Sequence, residues 1–71
     1  MDMLSDRQRE ILALVASGMS NTAIAQKLFM SPKSVAYHLT QIYSQLQVAT
    51  DASANARVQA AMIYARQEQG D

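Results

Sequence analysis

Ser20-Asn21-Thr22-Ala23-Ile24-Ala25-Gln26-Lys27-Leu28, then Phe29-Met30, then Ser31-Pro32-Lys33-Ser34-Val35 and onward to Leu46 is the stretch that decides the fold of this 71-residue chain. Two apolar-periodic segments each open on a serine, with only Phe29-Met30 between them. A serine hydroxyl accepts a hydrogen bond from an orphan N–H of the first helical turn, so Ser20 predicts a helix over 21–28. Ile24, Ala25 and Leu28, at i, i+1 and i+4, form its buried side. Ser31 caps the next helix, predicted over 32–46. Pro32 fills its first position, where a missing N–H costs nothing and the fixed φ suits helix initiation. In this helix Val35, Leu39, Ile42 and Leu46 recur at spacings of four, three and four, a continuous inward stripe. Helices joined by so short a turn must cross steeply, which is the outline of a helix-turn-helix.

Outward from this pair, Ser5 and Gln8 form a capping-box pattern that predicts a first helix over 6–17, ending at Gly18. Gln8, Ile11, Leu12 and Val15 line one side, and Arg7, Arg9 and Glu10 leave the other wet. Leu4, just ahead of the cap, is placed as a hydrophobic staple. After Val48 the chain runs Ala49-Thr50-Asp51-Ala52-Ser53, with Asp51 or Ser53 available to cap a fourth helix over about 54–66. Its apolar residues split between two sides, with Val58, Ala61, Met62 and Ala65 on one and Ala60, Ile63 and Tyr64 on the other. Part of this helix packs inward, then, and part is left as an outward apolar strip of the kind that marks a partner surface. The predicted fold is all-α, a compact four-helix domain containing a helix-turn-helix, with residues 1–71 as one unit.

Length and composition bound the function. A chain this small buries only about 60% of its unfolded surface, so it has one core. With no cysteine, neither a disulfide frame nor a thiolate zinc site holds the fold together, and helix packing must do so. The longest apolar run, Ile11 to Ala16, is far short of the roughly 20 residues of a membrane span, and the N-terminus lacks a basic-then-apolar signal peptide. A soluble, cytoplasmic protein without membrane partners is the expectation. His38 is the single histidine and has no cysteine or nearby acid, so no metal site is expected. No nucleophile, base and acid share a catalytic spacing, and neither enzyme activity nor a cofactor is expected.

Net charge is zero, which by itself counts against a nucleic-acid binder. Distribution matters more than the sum. The acids lie near the chain ends (Asp2, Asp6, Glu10, then Asp51, Glu68, Asp71), while Ile11 to Thr50 contains Lys27 and Lys33 and no acid. The face of the third helix opposite its apolar stripe carries Lys33, Ala36, Tyr37, Thr40, Gln41 and Ser44. An acid-free polar helix face is what the DNA major groove accepts. With so few cations, shallow salt dependence follows, because few counterions are released.

The combined pattern of Met19-Ser20-Asn21, Ile24-Ala25, Leu28-Phe29-Met30-Ser31, Ser34-Val35, His38-Leu39, Ile42-Tyr43 and Leu46 resembles the LuxR-type (GerE-like) helix-turn-helix DNA-binding domain of bacterial transcription regulators. The likeness runs from Leu4 to about Ala65. It implies a four-helix domain that binds double-stranded DNA with its third helix in the major groove and its second across the backbone. The fourth helix would form a two-fold dimer contact. Base-reading positions then correspond to Ala36, Tyr37 and Thr40, and phosphate-contacting ones to Ser20, Asn21, Lys33, Ser34 and Gln41. A weak homodimer would centre on Val58, Ala61, Met62 and Ala65. Many family members carry a receiver or ligand-binding domain, and none is expected within these 71 residues.

The departures from the family pattern bear on specificity. Ala36 stands where the family commonly has Lys or Arg, as do Ser44 and Gln45 near the end of the helix. Gln8 and Ala23 replace glutamates, Gln47 replaces a common glycine, and about six residues are added between Val48 and Arg57, which matches the family's arginine before the last helix. Without a long cation at position 36, Tyr37 and Thr40 are left to make apolar or single hydrogen-bond contacts with base edges. Each candidate also has a plainer reading: Lys33 as an ordinary surface lysine, Ser20 and Ser31 as caps, Tyr37 as a ring lying on the second helix, and Val58 and Met62 as core. Two other functions remain open at this point. One is a protein-interaction adaptor on a helix-turn-helix scaffold, and the other a sigma-factor-like module that meets promoter DNA only with RNA polymerase.

Overall fold

The computed structural model describes residues 4–48 and 53–69, and among them the chain forms α1 (Asp6–Ala16), α2 (Asn21–Leu28), α3 (Pro32–Gln45) and α4 (Ser53–Gln69), with no strand. Serines open the first three. Ser5 Oγ accepts from the Gln8 N–H at 3.1 Å while Gln8 Oε1 accepts from the Ser5 N–H at 3.1 Å, a complete capping box. Ser20 Oγ accepts from the Ala23 N–H and Ser31 Oγ from the Ser34 N–H, each at 3.1 Å. Each hydroxyl satisfies one of the orphan donors that a helix start leaves.

The ends of these helices share a device as well. Gly18, Phe29 and Gln47 all adopt the left-handed conformation, with φ of 96, 58 and 59°. Past each, the next N–H reaches back to the last turn: Met19 to the Leu14 carbonyl (3.2 Å), Met30 to Ala25 (2.8 Å) and Val48 to Tyr43 (2.9 Å). This Schellman arrangement reverses the chain within two residues, and it is what keeps the α2–α3 turn so short. It also trims two expected ends by one residue. Ser17 becomes the cap of α1, its hydroxyl donating to the Leu14 carbonyl at 2.7 Å, and Leu46 becomes the cap of α3. Helix α4 starts at Ser53 and runs to Gln69, beyond the expected 66, because Gln67-Glu68-Gln69 are helix formers with no breaker among them. Ser53 is therefore the first helical residue and not the cap before it, and Asp51 lies outside the described residues.

The core joins Leu4, Ile11, Leu12 and Val15 with Ile24 and Ala25 of α2, Val35, Leu39, Ile42 and Tyr43 of α3, Val48, and Ala56 and Ala60 of α4. Helix α1 touches all three others, α2 packs mainly on α3, and α4 lies chiefly on α1. Ala56 and Ala60, one turn apart, let α4 approach closely, and Ala61, Ile63 and Tyr64 pack beside them. Two details depart from the apolar stripes read in the sequence. Leu28 and Leu46 are only half-buried, and Tyr43, outside the α3 stripe, is buried. Tyr43 lies one position past Ile42, on the side of α3 that the other helices cover.

Candidate nucleic-acid interface

Helix α3 turns Val35, Leu39, Ile42 and Tyr43 inward, so Lys33, Ser34, Ala36, Tyr37, Thr40 and Ser44 are left exposed on its other side. Gln41, also a candidate, is half-buried. Tyr37 is 63% exposed, so most of its surface is left uncovered by the second helix. Its ring meets that of His38 edge-on, centroids 6.1 Å apart and planes at 73°, so the tyrosine stands against a neighbour on its own helix. His38 itself is half-buried, with Nδ1 enclosed and without a protein partner. No group of three His, Cys, Asp or Glu side chains comes together among the described residues.

The polar groups of this face have their protons assigned in part. Thr40 Oγ1 donates to the Ala36 carbonyl at 3.2 Å, so its hydroxyl is turned back onto the helix. Ser31 Oγ donates to Ser34 Oγ at 3.0 Å, leaving the Ser34 hydroxyl free to donate outward. Among the described residues neither Lys27 nor Lys33 is held in an ion pair, and the Arg7–Glu10 pair (3.3 Å) sits on exposed α1. Long unpaired cations at helix ends are the groups that a phosphate engages without first breaking an internal contact.

At the N-terminus of α2, Ser20 is exposed and caps the helix, while Asn21 is half-buried and already engaged. Arg57 Nη1 donates to Asn21 Oδ1 at 2.7 Å, and Arg57 Nη2 donates to the Met19 carbonyl at 2.6 Å. Only the amide N–H2 of Asn21 is left to donate. The charge of the same guanidinium also acts on the Tyr43 hydroxyl. Burial pushes that phenol above its ordinary value of 10.0, and Arg57 pulls it partly back. Sequence reasoning reached Arg57 as a family match and missed this role. The available signal was a single cation beside Ala56 and Ala60 on the inward side of α4.

On α4, Val58 and Met62 are 57% and 54% exposed, which excludes them as core, and Ala65 is exposed beside them. Ala61, grouped with these three in the sequence, is half-buried and packs on the core. Phe29 is 96% exposed, a bare aromatic in the α2–α3 turn. Its apolar character is at odds with that position, and its left-handed backbone is what swings the side chain out.

Two capped helices, joined across Phe29 and Met30 and packed on each other over a shared core, make this a helix-turn-helix domain. Its sequence matches the luxR family of bacterial regulatory proteins over residues 2–63, and the chain belongs to that family. Relatives include an HTH-type transcriptional regulator of Mycobacterium bovis, 43% identical over 47 residues that make up 66% of this chain and 5% of that protein. The oxygen regulatory protein NreC of Staphylococcus aureus is 50% identical over 44 residues, 62% of this chain and 20% of its own length. The region matched is thus a small part of either relative.

Proposed function

We propose that this domain binds double-stranded DNA sequence-specifically, as the output domain of a bacterial transcription regulator acting in the cytoplasm. The observation that carries this reading is the exposed, acid-free face of α3, in a fold whose α2 also begins at a capped N-terminus. In this arrangement α3 lies in the major groove, with Ala36, Tyr37 and Thr40 towards base edges. Ser20, Asn21, Lys33, Ser34 and Gln41 meet phosphates, Asn21 through its amide N–H2. Helix N-termini add unsatisfied backbone N–H groups to these contacts. Relatives named as an HTH-type transcriptional regulator and as an oxygen regulatory protein support the assignment, and on this reading the domain acts by binding, with no chemistry of its own. Helix α4 pairs with a second copy through the exposed Val58, Met62 and Ala65, with the half-buried Ala61 contributing only what the core leaves uncovered, and the two-fold pairing suits paired half-sites.

A second reading is favoured by zero net charge together with the exposed Val58 and Met62: an adaptor that keeps the scaffold and works through protein contacts, RNA polymerase among them. Amide NMR spectra of the domain, titrated with mixed-sequence duplex DNA at low and then higher salt, separate the two. DNA binding through α3 gives salt-weakened shifts concentrated at Ser20, Asn21 and residues 33–44. Absence of shifts at submillimolar DNA, with concentration-dependent changes confined to α4, would select the adaptor.

A further inference from the structure

We infer that α3 reads DNA through thymine methyl groups, which makes A·T-rich major grooves its target class. This inference rests on the DNA-binding reading above. The three side chains at the base-reading positions carry no cation and no carboxamide, the groups that make two-pronged hydrogen bonds to guanine or adenine. Ala36 offers a methyl group. Thr40 has a hydroxyl, but its proton is donated to the Ala36 carbonyl at 3.2 Å, so it has none for the O6 and N7 acceptors of guanine. What Thr40 has left for contact without a polar demand is its Cγ2 methyl. Tyr37 adds an aromatic body, 63% exposed and set edge-on to His38, with a single phenolic O–H at its tip.

One helical turn separates Ala36 from Thr40, so their methyl groups lie on the same side of α3. The C5-methyl of thymine is the apolar feature of the major groove, and alanine and threonine methyls are suited to meet it. Lys33, the long cation of this face, sits in the first turn of the helix, three residues before Ala36. It adds charge attraction shared by every sequence, whereas the methyl contacts distinguish one sequence from another.

Replacing thymine by deoxyuridine removes the methyl group and leaves base pairing intact. The domain is titrated, at one low salt concentration, with an A·T-rich duplex, the same duplex carrying deoxyuridine for every thymine, and a G·C-rich duplex. The thymine duplex is expected to bind tighter than its deoxyuridine counterpart by about fourfold for each methyl buried against protein. Thr40→Ser keeps the hydroxyl and loses the methyl, and is expected to bring that ratio down towards one. Thr40→Val loses the hydroxyl and keeps the ratio. Equal binding of thymine and deoxyuridine duplexes, tighter binding of the G·C-rich duplex, or an undiminished ratio in Thr40→Ser would overturn methyl reading while leaving DNA binding in place. Absence of binding to all three duplexes would overturn the proposed function with it.

Discussion

Arg57 of α4 and Asn21 at the head of α2 are joined side chain to side chain at 2.7 Å across 36 residues of sequence. The second prong of the guanidinium, on the Met19 carbonyl at 2.6 Å, makes the join a clamp on the α1–α2 connection. A charged donor with two partly buried acceptors is worth about 1.5–3 kcal/mol, more than a surface ion pair such as Arg7–Glu10. Arg57→Ala is accordingly expected to lower Tm by about 4–8 °C for each kcal/mol lost. Arg57→Lys, which cannot span both acceptors, is expected to recover only part. Thermal unfolding followed by circular dichroism checks both, and an unchanged Tm in Arg57→Ala would show the clamp to be idle.

Tyr43 gives the fold an alkaline limit. Its phenol is held above the ordinary 10.0 by burial, partly offset by Arg57, so the folded state favours the protonated form. As pH rises past 10.0 the unfolded chain gives up this proton before the folded one does. The contribution is therefore complete below that value and lost as pH climbs through the raised one. Comparing wild type with Tyr43→Phe from neutral pH to about pH 11 isolates it from the lysines that titrate nearby. The stability difference between the two proteins is expected to change only above the ordinary tyrosine range, against wild type.

Gln47 holds a left-handed φ of 59° where a glycine would be unstrained. That conformation costs a residue with a Cβ roughly 1–2 kcal/mol, while glycine adds about 0.4–1 kcal/mol of unfolded-chain entropy. Relief of strain outweighs the added entropy, so Gln47→Gly is expected to stabilise the domain by about 0.5–1 kcal/mol. Denaturant titration is the check, with an unchanged m-value and a raised midpoint. Gly18→Ala, at φ 96°, is expected to shift the midpoint the other way, even though nothing lies within 4 Å of the added Cβ.

Lys33 and Tyr37 are expected to fail differently. With Lys33 on a phosphate, as proposed, Lys33→Ala is expected to lower affinity for all duplexes alike and to flatten the plot of log K against log salt by about one unit. Tyr37→Ala weakens binding without changing that slope, because it removes no counterion-releasing charge. The double variant is expected to abolish the complex while leaving self-association intact. Fluorescence anisotropy across a salt series reads all three, and full binding by the double variant would move the interface away from α3.

Val58→Glu puts a carboxylate at a position 57% exposed in the single chain, so it does not disturb the core. In a two-fold contact the same change places two like charges face to face. Sedimentation is expected to show a strict monomer with unchanged helicity. Association that persists in this variant would remove the outward side of α4 as the dimer contact.

Much of this molecule was determined by its sequence alone, because helix starts and inward stripes are local matters. Ser5, Ser20 and Ser31 cap helices through hydrogen bonds three residues away, and Val35, Leu39 and Ile42 fall inward by period alone. The candidate site was legible to the same depth: that α3 has an acid-free face follows from composition and spacing. Tertiary structure decided what depends on residues far apart. It turned Arg57 into a clamp on α2, took the Asn21 carbonyl out of circulation, buried Tyr43, and sorted α4 into an inward side at Ala56 and Ala60 and an outward side at Val58 and Met62. A helical period states which residues share a face. Only the packing of one helix on another decides how far that face is buried and which of its polar atoms are spent inside the fold.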